Sequence, residues 1–388
     1  MIRDTARQEA LVADIRAFVR ERWHPIEAEV ERLDQVPPAM VDELRGKGYF
    51  GWSIPQAYGG LGLTTEELVL CAMELSQASV ALRARVGTNT GIGSEALVAD
   101  GTDEQKLRWL PRMATGEWTG CLALTEPDAG SEATNVQTTA RKVGDHYLLS
   151  GTKRFITNAP IADVFTVLAR TEDGTRGSAG LSAFLVERAT PGLRTGEPYR
   201  KMGQEGSPVS DVYFDDCHVP AAHLIGAREG VGFQTVMKVL NKQRLHLAAL
   251  CTGPAIRMLD LAMTHTRQRE QFGQAVSSFQ LVQAMIADCR TDIYAARSMI
   301  LEAARARDRG EDVAMSASMC KYFASEMCGR VADRCVQMFG GSGYIADFSP
   351  IERYYRDVRL FRLYERTSQI HQLHITKLAL REHEKAAA

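Results

Sequence analysis

The chain is poor in the features that would decide its function cheaply. Its Lys and Arg nearly balance its Asp and Glu, leaving a formal net charge of −2 over 388 residues. That offers no electrostatic footprint for nucleic acid or an anionic membrane. No run of 18 or more apolar residues is present, so nothing is expected to span a bilayer. The eight cysteines, at 71, 121, 217, 251, 289, 320, 328 and 335, include no C-x-x-C pair. Zinc sites need clustered ligands, and disulfide frameworks belong to short secreted chains. Free thiols in a reducing, cytoplasmic setting are therefore expected, with no metal site. There is no P-loop, no H-E-x-x-H and no G-x-S-x-G. The start, "MIRDTARQEALVADI", lacks an apolar signal core and reads as mature protein.

What is present is texture. The length suggests two or three packed units. Helical spacing of Leu11, Ile15, Phe18 and Val19 predicts an amphipathic helix over 7–32, with further helices over 38–47 and 64–77. "TDEQ" at 102–105 resembles an N-terminal cap. After Gly120, "HYLLSGTKRFIT", "VFTVLAR", "LSAFLVER" and "SDVYFDDCHV" are β-branched and aromatic, separated by Gly, Pro and Asp. An antiparallel sheet or barrel is expected there. From about Gly230 long Ala-, Leu- and Met-rich helical segments return, as in a bundle. The expected domains are 1–120, 121–229 and 230–388, an α+β architecture.

Six stretches could carry chemistry. "GIGSEA" at 91–96 fits G-x-G-x-x-A but sits among helices, outside the βαβ unit that dinucleotide binding requires. "LALTEPDAGSE" at 122–132 would expose backbone N–H groups and the hydroxyls of Thr125 and Ser131, suiting a phosphate or a polar ring edge, or it is a surface turn. "KRFITNAP" at 153–160 places Phe155 and Thr157 on one strand face, able to flank a flat heterocycle or simply half-buried. "RQREQFGQAVSSFQ" at 267–280 and "QMFGGSGY" at 337–344 each look, alone, like helix caps. Near the end, "LYERTSQIHQL" pairs Glu365 with Arg366: a base hampered by a cation, or a solvated charge pair.

Together and in this order the last five of these segments resemble the acyl-CoA dehydrogenase family along nearly the whole chain. The resemblance implies a helical N-terminal domain, a β-barrel-like middle domain and a C-terminal four-helix bundle, in a homotetramer (or dimer) that binds FAD. Leu122, Leu124, Thr125, Gly130 and Ser131 would line the flavin, Ser131 also facing substrate. Phe155, where the family more often has Trp, and Thr157 would meet the isoalloxazine. Arg269, Phe272, Gln280, Gln337 and Gly341 would hold the adenosine-diphosphate part of a neighbouring subunit's FAD, and Thr367 and Gln369 would also touch the cofactor. Glu365 falls on the family's commonest base position. The other known base position is Gln243, which cannot act as one, beside a matching Arg244.

The implied chemistry is α,β-dehydrogenation of an acyl-CoA. Glu365 takes the α-proton, its backbone N–H and a ribityl hydroxyl meet the enolate oxygen, and the β-hydride goes to flavin N5. An electron-transfer flavoprotein would take the electrons. Arg366 replaces the family's usual Gly and is expected to turn to solvent or to the CoA phosphates. Arg83 matches the carboxylate-binding arginine of glutaryl-CoA dehydrogenases and points to a short, anionic-tailed acyl group; its plainer reading is a helix-surface arginine beside Arg85. A sulfinate tail, as in 3-sulfinopropionyl-CoA desulfinases, is the rival reading without net oxidation. A non-catalytic scaffold would need broken flavin segments, and "ALTEP" and "FITN" are intact.

Overall fold

The computed structural model describes residues 4–387 except 173 and 176. Met1, Ile2 and Arg3, part of the expected mature start, lie outside the described residues. The N-terminal helices are α1 (Thr5–Phe18), α2 (Glu27–Leu33), α3 (Pro38–Gly46), α4 (Thr65–Leu75), α5 (Val80–Gly87), α6 (Glu95–Asp100) and α7 (Asp103–Ala114). The single helix expected over 7–32 is broken. A π-helical turn at Val19–Trp23 and a 3-10 turn at His24–Ile26 separate α1 from α2. Pro25 lacks the N–H a continuous helix would need, so periodicity carried the expectation past a breaker. Both α4 and α7 begin at capping boxes, Thr64 with Glu67 and Thr102 with Gln105.

The middle domain is a curled seven-stranded sheet: β1 (Gly120–Ala123), β2 (Thr139–Val143), β3 (His146–Thr157), β4 (Val164–Arg170), β5 (Leu181–Glu187), β6 (Leu193–Thr195) and β7 (Val209–Pro220). It is mixed, not purely antiparallel as expected. β1 runs parallel to β4, with Leu122 opposite Thr166. The β2–β3 hairpin lies between them in sequence, giving the long crossover that parallel pairing requires.

The C-terminal domain holds α8 (Gly232–Gln268), a short hairpin of β8 (Glu270–Gln271) and β9 (Gln274–Ala275), α9 (Gln280–Asp308), α10 (Ala314–Phe339), α11 (Gly341–Tyr344), α12 (Ile351–Val358) and α13 (Ser368–Ala387). By length and composition α8 could cross a membrane, but 67% of its most apolar stretch is buried against the protein. Cys251, Cys289, Cys320, Cys328 and Cys335 lie in the bundle core as free thiols. Burial pushes the thiol of each upward, so they behave as small hydrophobes.

The three domains meet in a buried ionic cluster beneath the C-terminal turn. Arg353 on α12 pairs with Glu27 at 2.7 Å and Glu31 at 3.3 Å, and Arg356 reaches Glu31 and Glu205. Asp357 accepts from the Gln204 backbone N–H, and its own carbonyl accepts from Gln204 Nε2 at 3.0 Å. Desolvation is the largest effect on Asp357 and raises its pKa from 3.8 to about 7. The folded chain therefore holds this proton to higher pH than the unfolded one, and stability falls as pH climbs from 3.8 to about 7. D357N removes that cost. Its Tm relative to the unsubstituted protein should rise by a few degrees between about pH 5 and about pH 8. A pH-independent difference would show that Asp357 ionises normally.

Candidate active site

Glu365 sits in the link between α12 and α13, where two consecutive non-glycine residues adopt left-handed backbone, Glu365 at φ 48° and Arg366 at φ 76°. Such conformations cost about 1–2 kcal/mol each and persist only when surroundings impose them. Here they are imposed from two sides. Lys321 Nζ on α10 donates to the Arg366 carbonyl at 2.7 Å, and His371 Nε2 on α13 lies 3.2 Å from the Glu365 carbonyl. That carbonyl can only accept, so His371 carries its hydrogen on Nε2. Burial, aided by Lys321, pushes its pKa down to about 3, leaving the ring neutral.

The Glu365 carboxylate points inward, and its Oε2 is buried with no hydrogen-bond partner among the described residues. Desolvation raises its pKa, opposed by the charges of Arg83, Lys321 and Arg244 in that order. Its neighbour departs from the expectation of open solvent. Arg366 turns neither to open solvent nor onto Glu365. It is half-buried, with Nη2 3.2 Å from Met237 Sδ on α8. With both φ angles left-handed, consecutive side chains diverge, and the thioether takes the guanidinium. Sequence adjacency suggested a conflict that the backbone removes.

Arg83 and Arg85 part company on α5. Arg85 donates to Thr119 Oγ1 at 3.1 Å and lies 5.1 Å over the Phe50 ring, a structural role. Arg83 faces the site, 5.6 Å over the Tyr364 ring, with Nε buried and unpartnered. Gln243, 3% exposed on α8, has Oε1 3.0 Å from His246 Nδ1, while its Nε2 is buried and unpartnered. Its side chain explains part of "GIGSEA": a Cβ on Gly91 would lie 2.6 Å from Gln243 Oε1. Helix α5, not a strand, precedes this motif. Arg244, nearly fully buried, donates to Ser318 Oγ at 3.1 Å, and burial lowers its pKa to about 10.

A second group adjoins the first. Leu122 on β1 and Leu124 just past its end are half-buried, alternating with buried Cys121 and Ala123, and Thr125 follows. Arg154 N–H donates to the Thr125 carbonyl at 2.7 Å, tying this turn to β3. Beneath it the fully buried Lys153 bonds Glu126 Oε1 at 2.7 Å and the Leu124 carbonyl at 3.3 Å. Phe155 and Thr157 both face away from buried Ile156, but not by simple strand alternation. A bulge lies between Lys153 and Ile156, and Phe155 has φ 59° with its ring 63% exposed. Asn158 joins the two groups: its Nδ2 donates to the Ala84 carbonyl at 2.9 Å, one residue from Arg83, while its Oδ1 is buried and unpartnered. Gly130, Ser131 and Gln369 are exposed at the rim, and Thr367 is half-buried.

The remaining candidates gather elsewhere. Arg269, Phe272, Gln280, Gln337 and Gly341 are all exposed at the far end of the bundle. The stacked His265 and Phe339 rings, 4.2 Å apart, hold the ends of α8 and α10 together there. Phe272 at the hairpin tip is 93% exposed. Arg269 is 26 positions beyond Gln243, roughly 39 Å along α8, so within one chain this set does not join the Glu365 site.

Lys321 and His371 were not singled out from the sequence, although Lys321 left a signal. In "MSASMCKYFASE" it shares the buried helix face of Ala317, Ala324 and Cys328. A lysine on an apolar stripe must have a partner. His371 left none.

Comparison with known proteins places the chain in a family. Family models match in order: "Acyl-CoA dehydrogenase, N-terminal domain" over 5–117, "middle domain" over 121–217 and "C-terminal domain" over 230–380. An "Acyl-CoA dehydrogenase" of Bacillus subtilis is 37% identical over 366 residues, 94% of this chain and 96% of the relative. A "3-(aryl)acrylate reductase" of Clostridium sporogenes is 38% identical over 378 residues, covering 97% and 99%. A solved structure described as "Electron transferring flavoprotein of Acidaminococcus fermentans" superposes with a TM-score of 0.94 at 35% identity, covering 98% of this chain and 100% of that one. With its helical, curled-sheet and helical domains in the same order, the chain belongs to the acyl-CoA dehydrogenase family and is an FAD-dependent oxidoreductase.

Proposed function

We propose that the chain interconverts a short acyl-CoA and its α,β-unsaturated thioester, with Glu365 exchanging the α-proton. The carrying observation is the buried, unpartnered Glu365 Oε2 beneath three cations that do not bond it. A carboxylate solvated by its own protein would be a weak base. One left dry with an open oxygen is poised for a C–H proton. The Glu365 backbone N–H is the protein donor for the thioester oxygen.

The residues fit an isoalloxazine: apolar Leu122 and Leu124, the outward Phe155 ring, the Thr157 hydroxyl and the orphaned Asn158 Oδ1 combine flat apolar contact with polar edge groups. When bound, FAD supplies hydride acceptance at N5. Arg269, Phe272, Gln280, Gln337 and Gly341 would serve the adenosine-diphosphate part of a neighbouring subunit's cofactor, which makes a homotetramer part of the reading. An electron-transfer flavoprotein is the proposed redox partner and the cytoplasm the proposed location.

Arg83 Nε and Gln243 Nε2, two buried donors without acceptors, favour an acyl tail ending in an anion. The same donors would suit a sulfinate tail. The test is anaerobic mixing of the purified flavoprotein with butyryl-, isovaleryl-, glutaryl- and 3-sulfinopropionyl-CoA while following the oxidised flavin's visible band. Bleaching, fastest with glutaryl-CoA, is expected. Sulfite release without bleaching would move the assignment to desulfination, and oxidation of the reduced flavin only by enoyl-CoA would make the reductive direction the working one.

A further inference from the structure

We propose that Lys321 is a positioning residue: by donating from Nζ to the Arg366 carbonyl, it holds the left-handed Glu365–Arg366 turn and so aims the Glu365 carboxylate. This rests on the reading of Glu365 as the base.

Three observations meet at this residue. Lys321 is fully buried, in the middle of α10, where an ammonium group is costly without a strong acceptor. Among the described residues its hydrogen-bond partner is a backbone carbonyl at 2.7 Å, not a carboxylate; Glu365, Glu326, Cys251 and Arg244 face it as charges or thiol without such a bond. The carbonyl it holds belongs to the second of two consecutive left-handed residues, where arginine stands at φ 76°. Glycine would take that φ freely, whereas arginine does so at a cost. The ammonium supplies a charge-assisted hydrogen bond that offsets the cost from a rigid helix. His371 performs the neighbouring task at the Glu365 carbonyl from α13, so each carbonyl of the turn is tied to a different helix. Without the Lys321 tie, Arg366 can relax toward negative φ. Glu365, one residue earlier, then swings with the chain.

The same ammonium also lowers the Glu365 pKa, so position and charge must be separated. K321M keeps the length and apolar packing of the side chain while removing donor and charge. We expect the rate of flavin reduction by the best thioester to fall roughly 10- to 100-fold at every pH, including the high-pH plateau, with KM changed less than about threefold. The loss caused by K321M should shrink at least about threefold when measured in the R366G background, because glycine needs no tether. In hydrogen–deuterium exchange the peptide over 363–368 should exchange about tenfold faster in K321M, with the rest of α10 unchanged.

A loss that disappears on the plateau would make Lys321 an electrostatic group only. Equal losses in both backgrounds, or unchanged exchange over 363–368, would also overturn the proposal. Exchange needs no turnover, so if no thioester reduces the flavin, the assignment of Glu365 falls while the tether is still decided.

Discussion

E365Q should remain yellow and folded, and should lose flavin bleaching by every acyl-CoA, with a rate loss of roughly 10²- to 10⁴-fold, the range a general base supplies. The amide keeps the size of the side chain and its contacts while removing the proton acceptor. Substrate binding should change far less than turnover, because the interaction lost is made as the C–H bond breaks. The pH dependence carries a sign. Burial raises the Glu365 pKa, and the base acts only when ionised. The bleaching rate should therefore rise with pH through a midpoint above the ordinary carboxylate range, and E365Q should show no such rise. Rapid-mixing absorbance across pH reads both. A variant that still bleaches with the same midpoint would assign the proton to another group. Among the neighbours described here, Gln243 cannot titrate, while His246 and His371 are pushed down to about 3.

The parts of this site that sequence could reveal are those written in local order. Helical periodicity announced α4 and the "TDEQ" cap announced α7, and "TEPDAGSE" and "RFITN" marked two segments that the structure ties together at the Arg154–Thr125 backbone bond. Backbone torsion was not legible. Nothing in "YERTS" says that Glu365 and Arg366 are left-handed, and that one fact reverses the apparent quarrel between base and guanidinium. Long-range partners were equally hidden. Gly91 looked like a fragment of a nucleotide motif until Gln243, far along the chain on α8, proved to be what its missing side chain accommodates. The bulge at Phe155 replaced strand alternation by a strained residue, and alternation is all that a sequence pattern can encode. The far cluster at Arg269 and Gln337 could be recognised residue by residue. Its separation from Glu365 follows only from the length of α8 between Gln243 and Arg269.

Arg83 should decide between two acyl tails. Its Nε is buried without an acceptor among the described residues, and its effect is the largest of the three cations that hold the Glu365 pKa down. If the guanidinium receives an anionic tail, R83M leaves that anion buried and unpaired, a loss of about 3 kcal/mol or more. The expected result is a fall in kcat/KM for glutaryl-CoA of roughly 10²-fold or more, with butyryl-CoA changed less than about tenfold. A second readout comes free of the tail. Removing the cation lets burial act on Glu365 with less opposition, so the midpoint of the pH profile with butyryl-CoA should move upward. Equal losses on both thioesters, with the midpoint raised, would make Arg83 a partner of the base and leave the tail unrecognised. A selective loss without a shift would place the guanidinium on the tail and make its influence on Glu365 negligible once substrate is bound. The two effects have opposite signs for the enzyme's economy: a cation close enough to select an anion also weakens the base beside it. Drying of Glu365 by the bound thioester is what lets one pocket hold both.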